Sequence, residues 1–346
     1  VADQSDQAEP QGPQISPPNT ALAMSPDVAE RVFAPDLRER LARSVRLAPV
    51  LLTGSLTEAD ARAVLSDAEI LITGWNCPPV TAEVLAHAPR LRALVHAAGS
   101  VKPVVTDALW DRGVVVSSAA DANAAPVVAY TLAAITFAAK GALSTAAAYA
   151  EGWPPFTERT GADGRTVGII GASRIGRGVI ASLRASDVGW RVLLTDPYVT
   201  GEEAAGLGVE LVPLPELCRR SSIVSVHAPQ LPETRGMVSE EMLRLMPDGG
   251  TLINTARGSL VDTEALAREC AAGRLDAFLD VTDPEPLPAG HPLLVLPNVL
   301  VTPHVAGAQG SEVRRLGEFA VGEVERFLAG APLRGRLLRE ELLRMA

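Results

Sequence analysis

The chain has 346 residues, 47% of them apolar, and a formal net charge of −10. Such a length favours two domains of roughly 150 residues each, and the acidic balance argues against nucleic acid and anionic membranes, which would need clustered Lys and Arg; a small-molecule partner is expected. Cys77, Cys218 and Cys270 are far apart and lack C-x-x-C spacing, so no metal site is expected, and buried reduced thiols in a cytoplasmic protein are the natural reading.

Residues 1–20 carry four prolines, no Lys or Arg and no apolar core, which fits a disordered tail and not a secretory signal. After it, "ALAMS" reads as a first strand and "DVAERVFAPDLRERLARS" as mostly helical despite Pro35. Then come "APVLLTG", "TEADARAVLSD", "AEILITGW", "TAEVLAHAP", "LRALVHAAG", "VTDALWDRG" and "VVVSSA". Strands alternating with helices of this length predict a parallel sheet with crossover helices. "NAAPVVAYTLAAITFAAK" follows as a helix, with Asn123 as N-cap and Pro126 in the first turn. Its most lipid-like part, Val127 to Ala139, falls short of the roughly 20 residues a bilayer needs, so a buried helix is expected.

A polar segment, "EGWPPFTERTGADGRT", separates this region from a second series: "TVGIIG", "RVLLTD", "VELV", "SIVSVHAP", "GTLINTARG", "AFLDVTDPEP" and "VLVTPHVAG". These runs, with helical stretches between most of them, describe a doubly wound parallel sheet. The segment 308–328 is amphipathic and helical, with Val313, Leu316, Phe319, Ala320, Val324 and Phe327 near one face.

In open α/β sheets the ligand lies beyond the carboxyl ends of the strands. Here those ends carry Gly171, Asp196, His227, Asn254 to Arg257, Asp280 to Glu285, and His304. In "GASRIG", Gly171 allows a tight turn and Gly176 close helix packing, while the amides of Arg174 and Ile175 would face a pyrophosphate. Ser173 stands where the middle glycine of G-x-G-x-x-G is usual, and its hydroxyl could donate to phosphate. Asp196 ends the next strand, where an acid accepts from the ribose hydroxyls and repels a 2′-phosphate, so NAD is favoured over NADP.

His304, with Glu285 from the preceding strand end, is a candidate general acid, since a carboxylate beside an imidazole fixes its tautomer and favours its protonated form. Arg257 is a planar cation suited to binding a carboxylate in bidentate fashion. Together these groups fit reduction of a 2-keto acid or oxidation of a 2-hydroxy acid. His291 reads as a turn residue and His87 and His96 as non-catalytic. Trp75 and Trp153 suit either a cleft or aromatic packing. The arginines at 314, 315 and 334–344 read as solvated helix faces.

"TVGIIGASRIG", "VHAPQLPETRGMV", "GTLINTARGSLVD", "LDVTDPEPL" and "VTPHVAG" stand in the order of the signature blocks of the D-isomer-specific 2-hydroxyacid dehydrogenases, which the chain resembles from Leu51 to Leu328, about four-fifths of its length. The resemblance implies an α/β fold in which a Rossmann NAD domain (123–306) is inserted into a smaller flavodoxin-like substrate domain (21–122, with 307–346 returning to it). It implies that Arg257, Glu285 and His304 form the catalytic set, Glu285 being chosen over Asp283 by its distance from Asp280. It implies that Ala98, Gly99 and Ser100 bind the substrate carboxylate, that Thr255, Ala256 and Asp280 lie near the nicotinamide, and that His227 and Pro229 pass under the adenosine side. It also implies a homodimer using the helix that starts near Asn123. Three departures stand out: Ser173; Ala129, where many members carry Glu; and "GSVKP" in place of a G-x-D continuation, which turns attention to Lys102. Two other functions share the fold. One is an NAD-binding regulatory protein, as in the related C-terminal-binding-protein corepressors, and the other is formate or phosphite oxidation.

Overall fold

The computed structural model describes residues 16–149, 152–153 and 161–342. Most of the expected tail and of the polar connector around 150–160 lie outside the described residues. One sheet contains β1 (Asn19–Ala23), β2 (Arg46–Leu47), β3 (Ile70–Thr73), β4 (Ala93–His96), β5 (Val115–Ser118) and β13 (Arg336–Leu337). Its order is β2-β1-β3-β4-β5-β13, parallel except for β13, so its first five strands have flavodoxin-like order. The other sheet contains β6 (Thr166–Ile170), β7 (Arg191–Thr195), β8 (Glu210–Leu211), β9 (Ile223–Val226), β10 (Gly250–Asn254), β11 (Leu275–Leu279) and β12 (Val299–Val301). All are parallel in the order β8-β7-β6-β9-β10-β11-β12, a doubly wound Rossmann sheet. The order reverses between β6 and β9, which opens a crevice beyond their carboxyl ends.

The apolar runs read from the sequence become strands because both faces of each sheet are covered: β3, β4, β9 and β10 are buried at every position. The helix Arg174–Ala185 buries Gly176, Val179, Ile180 and Leu183, a single stripe at helical spacing. The three cysteines are free and buried, as expected.

Four local expectations are corrected. The segment through Pro35 is two helices, Pro26–Val32 and Pro35–Ser44, because proline suits the first helical position and not an interior one. "APVLLTG" supplies only an isolated bridge from Leu52 to Ala23, and β2 lies earlier, at Arg46–Leu47. The connecting helix runs Ala120–Ala139, with Ala119 as its N-cap, so Pro126 is interior and Asn123 does not cap it. At 20 residues and a mean hydropathy of 1.5, that helix is long and apolar enough to cross a membrane, contrary to the shorter reading. In the structure it packs against Arg174–Ala185, with Thr131, Ala134, Ile135, Ala138 and Ala139 buried.

The C-terminal segment returns to the first sheet. The helix Arg314–Leu328 packs on it through Leu316, Ala320, Val321 and Val324. Glu323, on the same buried face and not anticipated from the sequence, accepts hydrogen bonds from Ser117 Oγ (2.5 Å), Arg334 N (3.0 Å) and Gly335 N (3.0 Å). Its carboxylate thereby stitches the segment before β13 to β5.

Candidate active site

At the crevice beyond β6, Gly171 has φ +96°, and a Cβ there would lie 2.7 Å from Ala228 N. A Cβ on Gly176 would lie 2.1 Å from the Gly171 carbonyl oxygen, so both positions need glycine for the turn to close on the loop after β9. Ser173 does not, since its backbone is extended at φ −65° and ψ 176°. Its Oγ caps the helix by accepting from Gly176 N at 3.3 Å, which leaves the hydroxyl hydrogen available to a phosphate. The first helical amides, those of Arg174 and Ile175, have no intrahelical acceptor, an arrangement suited to an anion. The Arg174 side chain forms an ion pair with Asp121 on the connecting helix.

Asp196 binds the same turn from β7. Its Oδ2 accepts from Ala172 N at 2.7 Å and its Oδ1 from Tyr198 N at 2.8 Å. Each oxygen keeps a lone pair for a hydroxyl. His227 is buried beneath the turn with Nε2 2.9 Å from Ser225 Oγ, and its Nδ1 has no partner among the described residues. Pro229, next but one, is half-buried.

Across the crevice, Asp280 is buried at the end of β11 and organises the loop after β12. It accepts from Thr302 Oγ1 (2.6 Å), Val305 N (2.8 Å) and Ala306 N (2.9 Å). Tyr130 on the connecting helix lies 2.7 Å from Thr302 Oγ1, and Thr131 lies 2.9 Å from Thr255 Oγ1. Between the groups bound to Asp280 sits His304, held at φ +55° with its N–H donating to the Asp280 carbonyl at 2.9 Å. Its Nδ1 is 2.7 Å from Glu285 Oε1, and Nε2 has no partner among the described residues. Both side chains are close to half exposed, where an ion pair adds little to stability. Asp283, the rival acid, pairs with Arg235 at 2.8 Å.

Arg257 follows β10 in a loop fixed by Asn254, which accepts from Ala256 N (3.0 Å) and donates to the Arg257 carbonyl (2.8 Å). Its guanidinium donates to the Ala256 carbonyl at 2.7 Å and meets no carboxylate within ion-pair distance among the described residues. Burial lowers its pKa, and the field of Glu285 opposes that shift. From the other sheet, the loop after β4 contains Ala98, which is buried, and Gly99 and Ser100, which are half-buried. Asn123 brings this loop to the His304 segment: its Oδ1 accepts from Ala308 N at 3.0 Å, and its Nδ2 would lie 2.8 Å from a Cβ on Gly99. The carboxyl ends of both sheets therefore face one cleft.

Comparison with known proteins identifies the family. The sequence profile of the D-isomer specific 2-hydroxyacid dehydrogenase NAD binding domain matches residues 132–306. The (S)-sulfolactate dehydrogenase of Chromohalobacter salexigens is 33% identical over 81% of this chain and 91% of its own. The chain belongs to the D-isomer-specific 2-hydroxyacid dehydrogenases. The D-3-phosphoglycerate dehydrogenase of Mycobacterium tuberculosis is 34% identical over 90% of this chain and 55% of its own, so the chain spans about half the length of those relatives. Among solved structures, the D-lactate dehydrogenase of Aquifex aeolicus, complexed with NAD and lactic acid, aligns with TM-score 0.69 at 27% identity over 90% of this chain and 96% of that one.

Within this family member, the groups not foreseen as part of the site are Asp121, Asn123, Tyr130 and Thr131, all on the connecting helix. Their partners lie far along the chain, and no local pattern marks them. His96 is buried, with Nδ1 2.9 Å from Thr73 Oγ1. Burial pulls its pKa down to about 4 against a bond to the Ser100 backbone, and burial takes His227 to about 3. Both stay neutral in the folded chain, whereas the unfolded chain protonates them near pH 6.5. Stability is therefore expected to fall as pH drops from about 6.5 toward 4, by on the order of 3 kcal/mol for each histidine. Thermal melts across that range check this, and a flat melting temperature would contradict it. His291 caps a short turn by accepting from Leu293 N at 3.3 Å, as expected. Trp75 and Trp153 are exposed and lie outside the core, and Arg314 and Arg339 pair with acids at the surface.

Proposed function

We propose that the chain is an NAD-dependent dehydrogenase that reduces a small 2-keto acid to a D-2-hydroxy acid, or runs the reverse. The observation that carries this reading is the His304–Glu285 pair, with Nε2 unengaged, in the field of a carboxylate-free Arg257. Gly171, Ser173, Arg174, Ile175, Gly176 and Asp196 would hold the adenosine and pyrophosphate half of the cofactor, together with the loop from His227 to Pro229. Thr255, Ala256 and Asp280 would hold the nicotinamide half. When bound, the reduced cofactor supplies a hydride to C2. Arg257 and the backbone amides of Ala98, Gly99 and Ser100 hold the carboxylate, and Arg257 polarises the ketone. His304 delivers the proton to the keto oxygen, and Glu285 stabilises and orients the imidazole. In the oxidative direction His304 takes that proton back.

In the same reading the first sheet serves as the substrate domain and the second as the cofactor domain. A homodimer is supported by the connecting helix, which leaves Phe137 more than half exposed. Mixing the full chain with NADH and a panel of 2-keto acids tests the activity: loss of NADH absorbance and a D-configured product are expected, and no oxidation with any member rejects it. Asp196 supports NAD over NADP, because its carboxylate repels a 2′-phosphate. Asp196→Ala should reduce that discrimination at least tenfold and also loosen the turn it binds at Ala172. The ratio of kcat/KM for the two cofactors is the measurement, and an unchanged ratio removes Asp196 from the ribose site.

A further inference from the structure

Lys102 lies in the turn after β4, on the loop that Asn123 brings to the His304 segment, and the reaction proposed above gives it no role. It is half-buried, and among the described residues no carboxylate pairs with it. Its turn is rigid. Val101, Val104 and Val105 are buried in the first sheet's core, and the amides of Val104 and Val105 both donate to the Val101 carbonyl at 2.9 Å. His96 bonds the Ser100 backbone and Ser118 Oγ donates to the Gly99 carbonyl at 3.1 Å, which holds the residues just before it. Burial lowers the Lys102 pKa and the positive charge of Arg257 lowers it further, so the two cations sense one another.

Charge balance at the cleft then decides what fits. Glu285 is the acid in the field of Arg257, and it is already engaged by His304. With that pair closed, Glu285 offsets Arg257 only through its field, no carboxylate acts on Lys102, and both cations are partly removed from water. An unpaired, desolvated cation is costly, and a substrate with a single carboxylate neutralises only one of them. A rigid turn also prevents the lysine from simply swinging its backbone toward solvent.

We infer that Lys102 selects substrates with two anionic groups: a 2-keto acid whose carboxylate goes to Arg257 and whose side chain ends in a second carboxylate, sulfonate or phosphate bound by the ammonium group of Lys102. The inference rests on the dehydrogenase reading and narrows it to a substrate class. Lysine suits this task because its ammonium is a point charge that accepts any of these anions without demanding planar geometry.

The test compares 2-keto acids in the presence of NADH. Oxaloacetate, 3-sulfopyruvate and 3-phosphohydroxypyruvate are set against 2-ketobutyrate and pyruvate. In the parent chain, kcat/KM for the best dianion should exceed that for its monoanionic counterpart by about 10- to 100-fold, the worth of a charge-assisted hydrogen bond. In Lys102→Met that ratio should collapse to near parity, mainly through KM, and Lys102→Arg should restore most of it. A binding readout accompanies turnover: with NADH present, succinate should raise the melting temperature more than butyrate does in the parent, and equally in Lys102→Met. The same melts show whether each variant is folded, and Lys102→Gln replaces Lys102→Met where the latter is not. Turnover without dianion preference, or a preference that survives loss of the lysine, overturns the inference and leaves the dehydrogenase reading standing. Failure of every keto acid to oxidise NADH overturns both.

Discussion

Replacing His304 by Asn is expected to lower keto-acid turnover by about 10²- to 10⁴-fold, the usual worth of a positioned acid, with NAD affinity kept within a few-fold. Asparagine can keep a polar contact with Glu285 but cannot carry a proton to substrate. Because His304 is about half exposed and its ion pair lies at the surface, the substitution should leave the melting temperature nearly unchanged. Single-turnover rates and cofactor titration separate the two effects. Turnover within a few-fold of the parent would show that another group supplies the proton, and a large fall in melting temperature would show that the pair is structural.

The second large effect is expected at Asp280, and it has the opposite signature. Its carboxylate accepts from Thr302, Val305 and Ala306, and its backbone carbonyl accepts from His304. Asp280→Asn puts an NH₂ group where Ala306 N–H now points, leaving that buried donor without its acceptor at a cost of about 1–3 kcal/mol. His304 sits in the left-handed region of backbone space, which a non-glycine residue occupies at a cost of about 1 kcal/mol or more and keeps only when its surroundings impose it. Without those bonds the loop should relax and shift the imbidazole's position, and a displacement near 1 Å can lower turnover about 10²-fold. Asp280→Asn should therefore lose both melting temperature and kcat, with His304 and Glu285 still present. Parent-like values in both measurements would show that the loop is positioned by other contacts.

Much of this architecture is legible in the sequence because parallel strands buried on both faces are short continuous apolar runs, and β3, β4, β9 and β10 all have that form. The residues shortly after each run then fall beyond a sheet's carboxyl end, which is why His304, Glu285 and Arg257 can be singled out from the sequence. Helix boundaries near the cleft are less legible. The first turn of the connecting helix, Ala120 to Asn123, has no strong capping residue before it, and Pro126 draws the eye to a later start. Asn123 consequently looks like a cap when it is a bridge between two loops. The contact between Tyr130 and Thr302 spans 172 residues of sequence, and the one between Thr131 and Thr255 spans 124, so neither leaves a local periodic trace. The buried Glu323 occupies a position that periodicity assigns to an apolar side chain, because the donors it satisfies belong to distant segments.

The return of the C-terminal segment to the first sheet has a mechanical consequence. Two covalent crossings join the halves of the molecule, one through the helix Ala120–Ala139 and the other through the residues after His304, and Asn123 ties them together where they pass. A body tethered at a single point can swivel freely, but one tethered at two neighbouring points can only hinge about the line between them. Any opening would pivot beside Asn123, so the loop that carries His304 would travel least while the outer rims travelled most. Such leverage would let a wide mouth admit a bulky ligand while the segments beside Asn123 stay in register.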